Sequence, residues 1–294
     1  MPPPKLLVLG ATGLLGAVVC EAAISRGLAV IAAARSGPAC VDIRNEAQLI
    51  ALLQGYRPDW IVNAAAEVSV EACERDPAGA WMVNARPAAV LAAYAHSAGA
   101  RLVQVSTDHF FHGDGAARHD EAAPVTLLND YARSKFAAEA LALTDPSALV
   151  LRTNMVGIRS RHGGSFGEWA RRLIETDGEG VLFADQYVSL LDVWSLADAL
   201  LDLAATPATG VLNLGSREVF SKEGFVLALA AALGRTLTRA KAGSSASLVV
   251  PRPDSLGLDV SRAETWLGRP LPNLHQVVHS LAVRIQADPA GDRL

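Results

Sequence analysis

Seven residues close to the start of the chain, Gly10-Ala11-Thr12-Gly13-Leu14-Leu15-Gly16, constrain its fold more than any other stretch. They follow a short apolar run, Lys5 to Leu9, and lead into Leu14 to Ser25, which is rich in alanine and valine. The pattern predicts a strand, a tight turn and a helix. Backbone N–H groups approach a pyrophosphate closely only where no Cβ intervenes, and the N-terminus of a helix favours negative charge. The spacing G-x-x-G-x-x-G therefore reads as the floor of a dinucleotide site, formed by Gly10, Thr12, Gly13, Leu14, Leu15 and Gly16. A glycine-rich turn that merely packs a helix on a strand is the competing reading. The second apolar run, Ala29 to Ala34, lies at crossover distance, completes a βαβ unit and favours the nucleotide.

Strand and helix patterns then alternate. Trp60-Ile61-Val62 is a strand that ends in the small residues Asn63-Ala64-Ala65-Ala66, Pro77 to Gly99 reads as one long helix, and Arg101 to Val105 is the next buried strand. Asn129 or Asp130 caps a helix that carries Tyr131 and Lys135, and Ala148 to Thr153 is a further strand. Alternation of this kind predicts an α/β fold, a Rossmann-type doubly wound parallel sheet covered on both faces. After Thr153 the elements become shorter, with helices expected at Phe166–Ile174, Trp194–Ala204, Ser221–Leu233, Asp259–Leu267 and Leu274–Ile285. Gly163-Gly164-Ser165 reads as loop and Asp288 to Leu294 as a loose tail. The expected domains are residues 1–153 for the dinucleotide, with 189–205 returning to them, and a smaller C-terminal α/β substrate lobe from 154–188 and 206–294.

Composition narrows the class. In 294 residues, 51% are hydrophobic and 19% charged, enough apolar content for a real core. A formal charge of -4 excludes a general nucleic-acid binder, which would carry a basic excess. Cys20, Cys40 and Cys73 are too far apart for a C-x-x-C motif, so reduced thiols in a cytoplasm are expected. The apolar window Leu6 to Ile24 is better explained by strand and helix than by a membrane span, since it contains turn glycines and Glu21. The polar run with His109, His112, Asp114 and His119 lacks a thiol and reads as a loop over the site, so no metal is expected. Trp60, Trp81 and Trp194 sit in apolar runs and are expected in the core.

Several residues carry chemistry. Arg35 and Ser36 follow the second strand, where an acidic residue would hold a ribose 2′-OH and an arginine accommodates a 2′-phosphate. NADP(H) is therefore the preferred cofactor and NAD(H) the second choice, with Asp42, Ile43, Asn63, Ala64, Ala65, Ala66, Asn84 and Val105 as further contacts. Tyr131 and Lys135 are four residues apart and share a helix face. A phenol with a pKa near ~10 needs an ammonium beside it to act as an acid–base group at neutral pH. With Thr107 to hold a substrate oxygen, the three make a carbonyl–alcohol redox site.

These motifs resemble the extended short-chain dehydrogenases, and within them the dTDP-4-dehydrorhamnose reductase family of sugar-nucleotide-binding proteins. Pro58-Asp59-Trp60-Ile61-Val62-Asn63-Ala64-Ala65-Ala66 is similar to that family's P-D-x-x-I-N-x-A-A, Val83-Asn84-Ala85 to its V-N-A, and Ser106-Thr107-Asp108 to its S-T-D. Tyr131-Ala132-Arg133-Ser134-Lys135 is similar to its Y-G-x-S-K, Leu151-Arg152-Thr153 to its L-R-T, and Arg252-Pro253 with Leu258-Asp259 to its R-P and L-D ending. The resemblance implies a catalytic set of Thr107, Tyr131 and Lys135, cofactor contacts from Tyr131 and Lys135, and a sugar-nucleotide substrate touched by Asp108, His109, Asn154 and Met155. It also implies a homodimer, as is common in that group. The chain departs from the pattern at His109-Phe110-Phe111-His112, where the family has Y-V-F-D, and at Asn154-Met155, where it often has a tryptophan. A cofactor-binding regulatory subunit without turnover and a sugar-nucleotide epimerase are the alternative readings.

Overall fold

The computed structural model describes residues 3–158 and 164–287. Gly163 of the expected loop and the expected tail from Asp288 to Leu294 lie outside the described residues. The chain divides into two compact units: Met1–Thr107 with Leu127–Arg152 and Ala197–Leu212, and Asp108–Thr126 with Thr153–Leu196 and Asn213–Leu294.

The first unit is built on the strands β1 (Lys5–Leu9), β2 (Ala29–Ala34), β3 (Ala39–Cys40), β4 (Trp60–Asn63), β5 (Arg101–Val105) and β6 (Leu149–Thr153). With β11 (Gly210–Leu214) they form one parallel, Rossmann-type sheet in the order β11-β6-β5-β4-β1-β2-β3. Leu6, Leu7, Val8 and Leu9 are all fully buried, as a central parallel strand with both faces covered requires. The order reverses between β1 and β4, which makes the crevice at their carboxyl ends the natural place for a ligand. Register brings those ends level, since Leu9 pairs with Ala33 of β2 and with Asn63 of β4.

Helices α1 (Leu14–Ser25), α2 (Glu46–Tyr56), α3 (Val70–Arg75), α4 (Pro77–Asn84), α5 (Arg86–Ala98) and α6 (Asp130–Ala142) belong to this unit. Leu49, Leu53, Leu91 and Ala95 from α2 and α5 bury against Leu7, Ile61 and Leu102 of the sheet. The expected helix over 77–99 is two helices, broken at Ala85. Pro87 supplies the cause: it has no N–H to continue the ladder, and proline is tolerated in a first turn but not inside a helix. Trp81 is 45% exposed, not core, because it lies on the outer face of α4. Helix α3 and the two-residue β3 were not visible in the sequence pattern.

Gly16 explains the third glycine of the motif. A Cβ there would lie 2.2 Å from the Gly10 carbonyl oxygen, so the first turn of α1 packs directly on the turn that ends β1. Gly16→Ala is expected to cost roughly 1–3 kcal/mol, the usual penalty of overpacking, and to weaken dinucleotide binding in a titration. An unchanged melting temperature and affinity would show that this turn can shift freely.

The second unit is built from small sheets. β7 (Met155–Val156) pairs with β10 (Leu191–Asp192), β8 (Gly180–Phe183) with β13 (Ala240–Gly243), and β9 (Tyr187–Val188) lies between β12 (Phe220–Ser221) and β14 (Ser255–Leu256). Helix α7 (Phe166–Thr176) starts in a full capping box, with Ser165 and Glu168 bonded to each other's backbone. Helix α8 (Val193–Ala204) passes from the second unit to the first at Ala197. Helix α9 (Lys222–Ala232) is capped by Ser221 and packs on α11 (Leu274–Ala287), while α10 (Ser261–Leu267) precedes α11. Among the described residues no helix is long and apolar enough to cross a membrane.

Candidate active site

At the carboxyl ends of β1, β2 and β4 the first unit opens a cleft of about 510 Å³. Gly10, Thr12 and Gly13 form part of its lining, Ala64, Ala65 and Ala66 another, and Arg35, Asp42 and Ile43 a third. Gly10 has φ 78°, and a Cβ there would sit 2.8 Å from the Ala65 nitrogen. Only glycine lets the turn after β1 adopt this backbone and pack this closely on the Ala64-Ala65 backbone. Gly13, the N-cap of α1, makes no side-chain cap bond and the first turn holds no acidic residue. The leading N–H groups of α1 thus lack the partner that Asn45, Ser69, Asp76 and Asn129 give to α2, α3, α4 and α6. An uncapped helix end beside a Cβ-free turn suits a pyrophosphate, so the residues present fit a dinucleotide.

The other expected cofactor residues take different positions. Leu15 and Gly16 are buried in α1, Leu14 is half-buried at its start, and Ser36 is exposed after Arg35. Asn63 is buried: its amide donates to Gln104 Oε1 at 2.8 Å and its Oδ1 accepts from the Ala65 N–H at 3.3 Å. Asn84 accepts from the Glu67 N–H at 2.7 Å and donates to the Glu67 carbonyl and to Ser134 Oγ at 3.1 and 2.9 Å. Both asparagines shape the wall by fixing the loop after β4. Asp42 is gripped by Arg44, whose Nη2 reaches Oδ2 at 2.7 Å, and these hydrogen bonds hold its carboxyl below the usual carboxylate range. Arg44 and Arg75, unremarked in the sequence, add two guanidinium groups to the same lining.

Thr107, Tyr131 and Lys135 all lie in the first unit and are buried. Asn129 caps α6 by accepting from the Ala132 N–H at 2.9 Å, which fixes where Tyr131 begins the helix. The Lys135 ammonium donates to the Val105 carbonyl at 2.7 Å, so the Val105 backbone serves the lysine. Burial pulls the Lys135 pKa down to about 8, and the Glu139 carboxylate opposes that fall. Glu139 is itself buried. It accepts from Ser106 Oγ at 2.6 Å and from Arg152 Nε and Nη2 at 3.0 and 2.8 Å. The sequence reading passed over this carboxylate, although its i,i+4 spacing from Lys135 was a usable signal.

In the second unit Asn154 donates to Asp108 Oδ2 at 2.6 Å, and Met155 begins β7. Lys222, at the start of α9, places its ammonium 5.2 Å from the Phe166 ring centroid. Burial brings it down to about 8, with Asp108 favouring its charge and Arg252 opposing it. Burial first, then Lys222 and Arg252, push His109 down to about 3, which keeps its imidazole neutral at physiological pH. The remaining loop histidines have separate partners: His112 meets Asp254 at 2.8 Å, and His119 stacks on Phe111 and meets Asp114 at 3.1 Å.

Comparison with known proteins adds the family. The model of the RmlD substrate binding domain matches residues 4–286. The chain belongs to that family. Among its RmlD-family relatives, the dTDP-4-dehydrorhamnose reductase of Mycobacterium tuberculosis is 34% identical over 260 residues, 85% of this chain and 83% of its own. A probable low-salt glycan biosynthesis reductase of Haloferax volcanii, Agl14, is 29% identical over 287 residues, 93% of this chain and 96% of its own. A dTDP-4-dehydrorhamnose reductase from Bacillus anthracis, solved in complex with NADP, superposes with a TM-score of 0.85 at 23% identity, covering 96% of this chain and 98% of that one. At that identity the likeness speaks for the fold. The RmlD match runs from β1 into α11 and so takes in both units.

Proposed function

We propose that this chain is an NAD(P)H-dependent reductase, preferring NADPH, of a keto group on a nucleotide-activated deoxysugar. The observation that carries the reading is that Thr107, Tyr131 and Lys135 share one unit with a dinucleotide-shaped cleft, in an RmlD-family chain with curated relatives named dTDP-4-dehydrorhamnose reductase. A nicotinamide cofactor, when bound, would supply the hydride for the carbonyl carbon. Tyr131 gives its phenolic proton to the carbonyl oxygen, and Thr107 holds that oxygen by a hydrogen bond. Lys135 stabilises the phenolate left behind and holds the nicotinamide ribose. The second unit is the substrate lobe in this reading, with Asp108, His109, Asn154 and Met155 as its contacts. His109, being neutral, offers a hydrogen bond and no charge.

The test is to titrate NADPH and NADH and follow their oxidation with a panel of 4-keto sugar nucleotides. Turnover with one of them, faster with NADPH, is expected. Tight cofactor binding with no oxidation across the panel would replace the reductase by a cofactor-binding subunit without turnover.

Arg35 carries the cofactor preference. It is exposed at the rim of the cleft directly after β2, where a 2′-phosphate on the adenosine ribose would meet it. A hydrogen bond to a charged group contributes about 1.5–3 kcal/mol. Arg35→Ala is therefore expected to weaken NADPH about 10- to 100-fold in a fluorescence titration and to leave NADH nearly unchanged. Equal losses for both cofactors would remove Arg35 from 2′-phosphate recognition.

A further inference from the structure

We infer that Glu139, with Arg152 behind it, is the positioning residue of the active site: it ties the strand end that carries Thr107 to the helix that carries Tyr131 and Lys135, and its pairing with Arg152 governs the charge of Lys135. The inference rests on the reductase reading above. Its geometric basis lies wholly within the first unit. Ser106, the residue before Thr107, donates to Glu139 Oε1 at 2.6 Å, so the segment leaving β5 is bolted to α6. Arg152 approaches the same carboxylate from β6, with Nε 3.0 and 3.2 Å from the two oxygens and Nη2 2.8 Å from Oε2. One buried carboxylate therefore fixes three elements, and both members of the ion pair are nearly inaccessible, at 5% and 3%.

Glu139 also stands one helical turn from Lys135, whose ammonium is penalised by burial. Its carboxylate favours the charged form of Lys135. The helices packed on α6 bring other groups. Glu74 of α3 accepts from the Asp130 N–H and Arg133 pairs with Asp130, both at the helix start, while Asn84 of α4 brings a neutral amide to Ser134. A free Glu139 carboxylate would hold Lys135 strongly protonated. Burial opposes that pull and brings the lysine down to about 8, while Arg152, bonded to both carboxylate oxygens, takes up part of the Glu139 charge.

This arrangement makes an unusual demand on mutants, because the two partners must act in opposite directions. Glu139→Gln keeps the shape and removes the negative charge one helical turn from Lys135, so the lysine loses its proton at lower pH. Arg152→Gln leaves Glu139 uncompensated, so the lysine keeps its proton to higher pH. Shifts of about one pH unit each are expected from a charge this close. The double variant E139Q/R152Q restores the native balance to within about half a unit.

The measurement is a pH titration of the full-length protein labelled with 13C-lysine, following the Cε signals. The chain has only four lysines, Lys5, Lys135, Lys222 and Lys241, and Lys135→Met identifies the relevant peak. A native midpoint near about 8 is expected, with the single variants displaced on opposite sides of it. Displacement in the same direction, or none in either folded variant, would overturn the inference. If the single variants do not fold, the double variant decides: a midpoint within about half a unit of native supports the compensation, and a larger shift refutes it. Ser106→Ala tests positioning separately, with kcat for NADPH oxidation expected to fall about tenfold while the Lys135 midpoint stays in place; an unchanged kcat would refute the tie to Thr107. Absence of turnover by the native chain on every keto sugar nucleotide would overturn the reductase reading alone, since the lysine titration needs no substrate.

Discussion

Tyr131→Phe is expected to lower kcat for carbonyl reduction by about 10²- to 10⁴-fold while leaving NADPH affinity within a factor of about two. The phenol hydroxyl is the proton source in the proposed reaction, and phenylalanine keeps the ring in its buried place at the start of α6 while removing only the oxygen. No compensating acid stands next to it in sequence, where Asp130 is bound to Arg133 at 3.0 Å and Ala132 is apolar. Affinity should survive because the glycine turn and the rim arginine that line the cleft lie on other elements, after β1 and β2. Single-turnover mixing of the preformed NADPH complex with a keto sugar nucleotide would separate the two terms. A rate within a few fold of native would disqualify Tyr131 as the proton donor.

Arg152→Ala is expected to destabilise the first unit by about 3–5 kcal/mol, because it strands a carboxylate in the interior. Glu139 is 3% exposed and after the substitution would keep the Ser106 hydroxyl as its hydrogen-bond donor among the described residues, with the Lys135 charge one turn away. That penalty is a large fraction of a typical domain stability of about 5–15 kcal/mol. Removing the exposed pair between Arg86 and Glu46, which are 55% and 46% accessible, should change stability by less than about 1 kcal/mol. Amide exchange is the suitable readout, since tryptophans occur in both units and the protons of paired strands β5 and β6 report on the first alone. A loss below about 1 kcal/mol for Arg152→Ala would mean that water or another group reaches Glu139.

What the sequence revealed was local in the chain. The glycine motif, the strand before it and the pair Tyr131 and Lys135 are legible because each is a spacing within a few residues, and strand pairing then brings Ala64 and Arg35 to the same edge as Gly10. The family resemblance was legible for the same reason, in short runs such as Ser106-Thr107-Asp108. The Glu139 and Arg152 pair was not, because its members are thirteen residues apart on different elements and each is ordinary alone. Lys222 and Arg252 were missed as partners of Asp108 and His109, since only folding brings such distant residues together. In the second unit most strands have two residues, too few to show alternation, so residues as close in sequence as Val188 and Leu191 fall in β9 and β10 of different sheets. The break in the 77–99 helix had a written signal in Pro87, which alanine-rich surroundings obscured.

The interleaving of the two units bears on how the protein is made. The chain leaves the first unit after Thr107, returns at Leu127, leaves after Arg152 and returns again at Ala197. Strand β11, which flanks β6 at the edge of the large sheet, is therefore synthesised after two segments of the other unit have already emerged. A nascent chain halted near residue 190 would present β6 as an open edge, the kind of surface that invites pairing with another molecule. Native closure of this sheet edge must wait for late translation, so N-terminal-first folding stops short here.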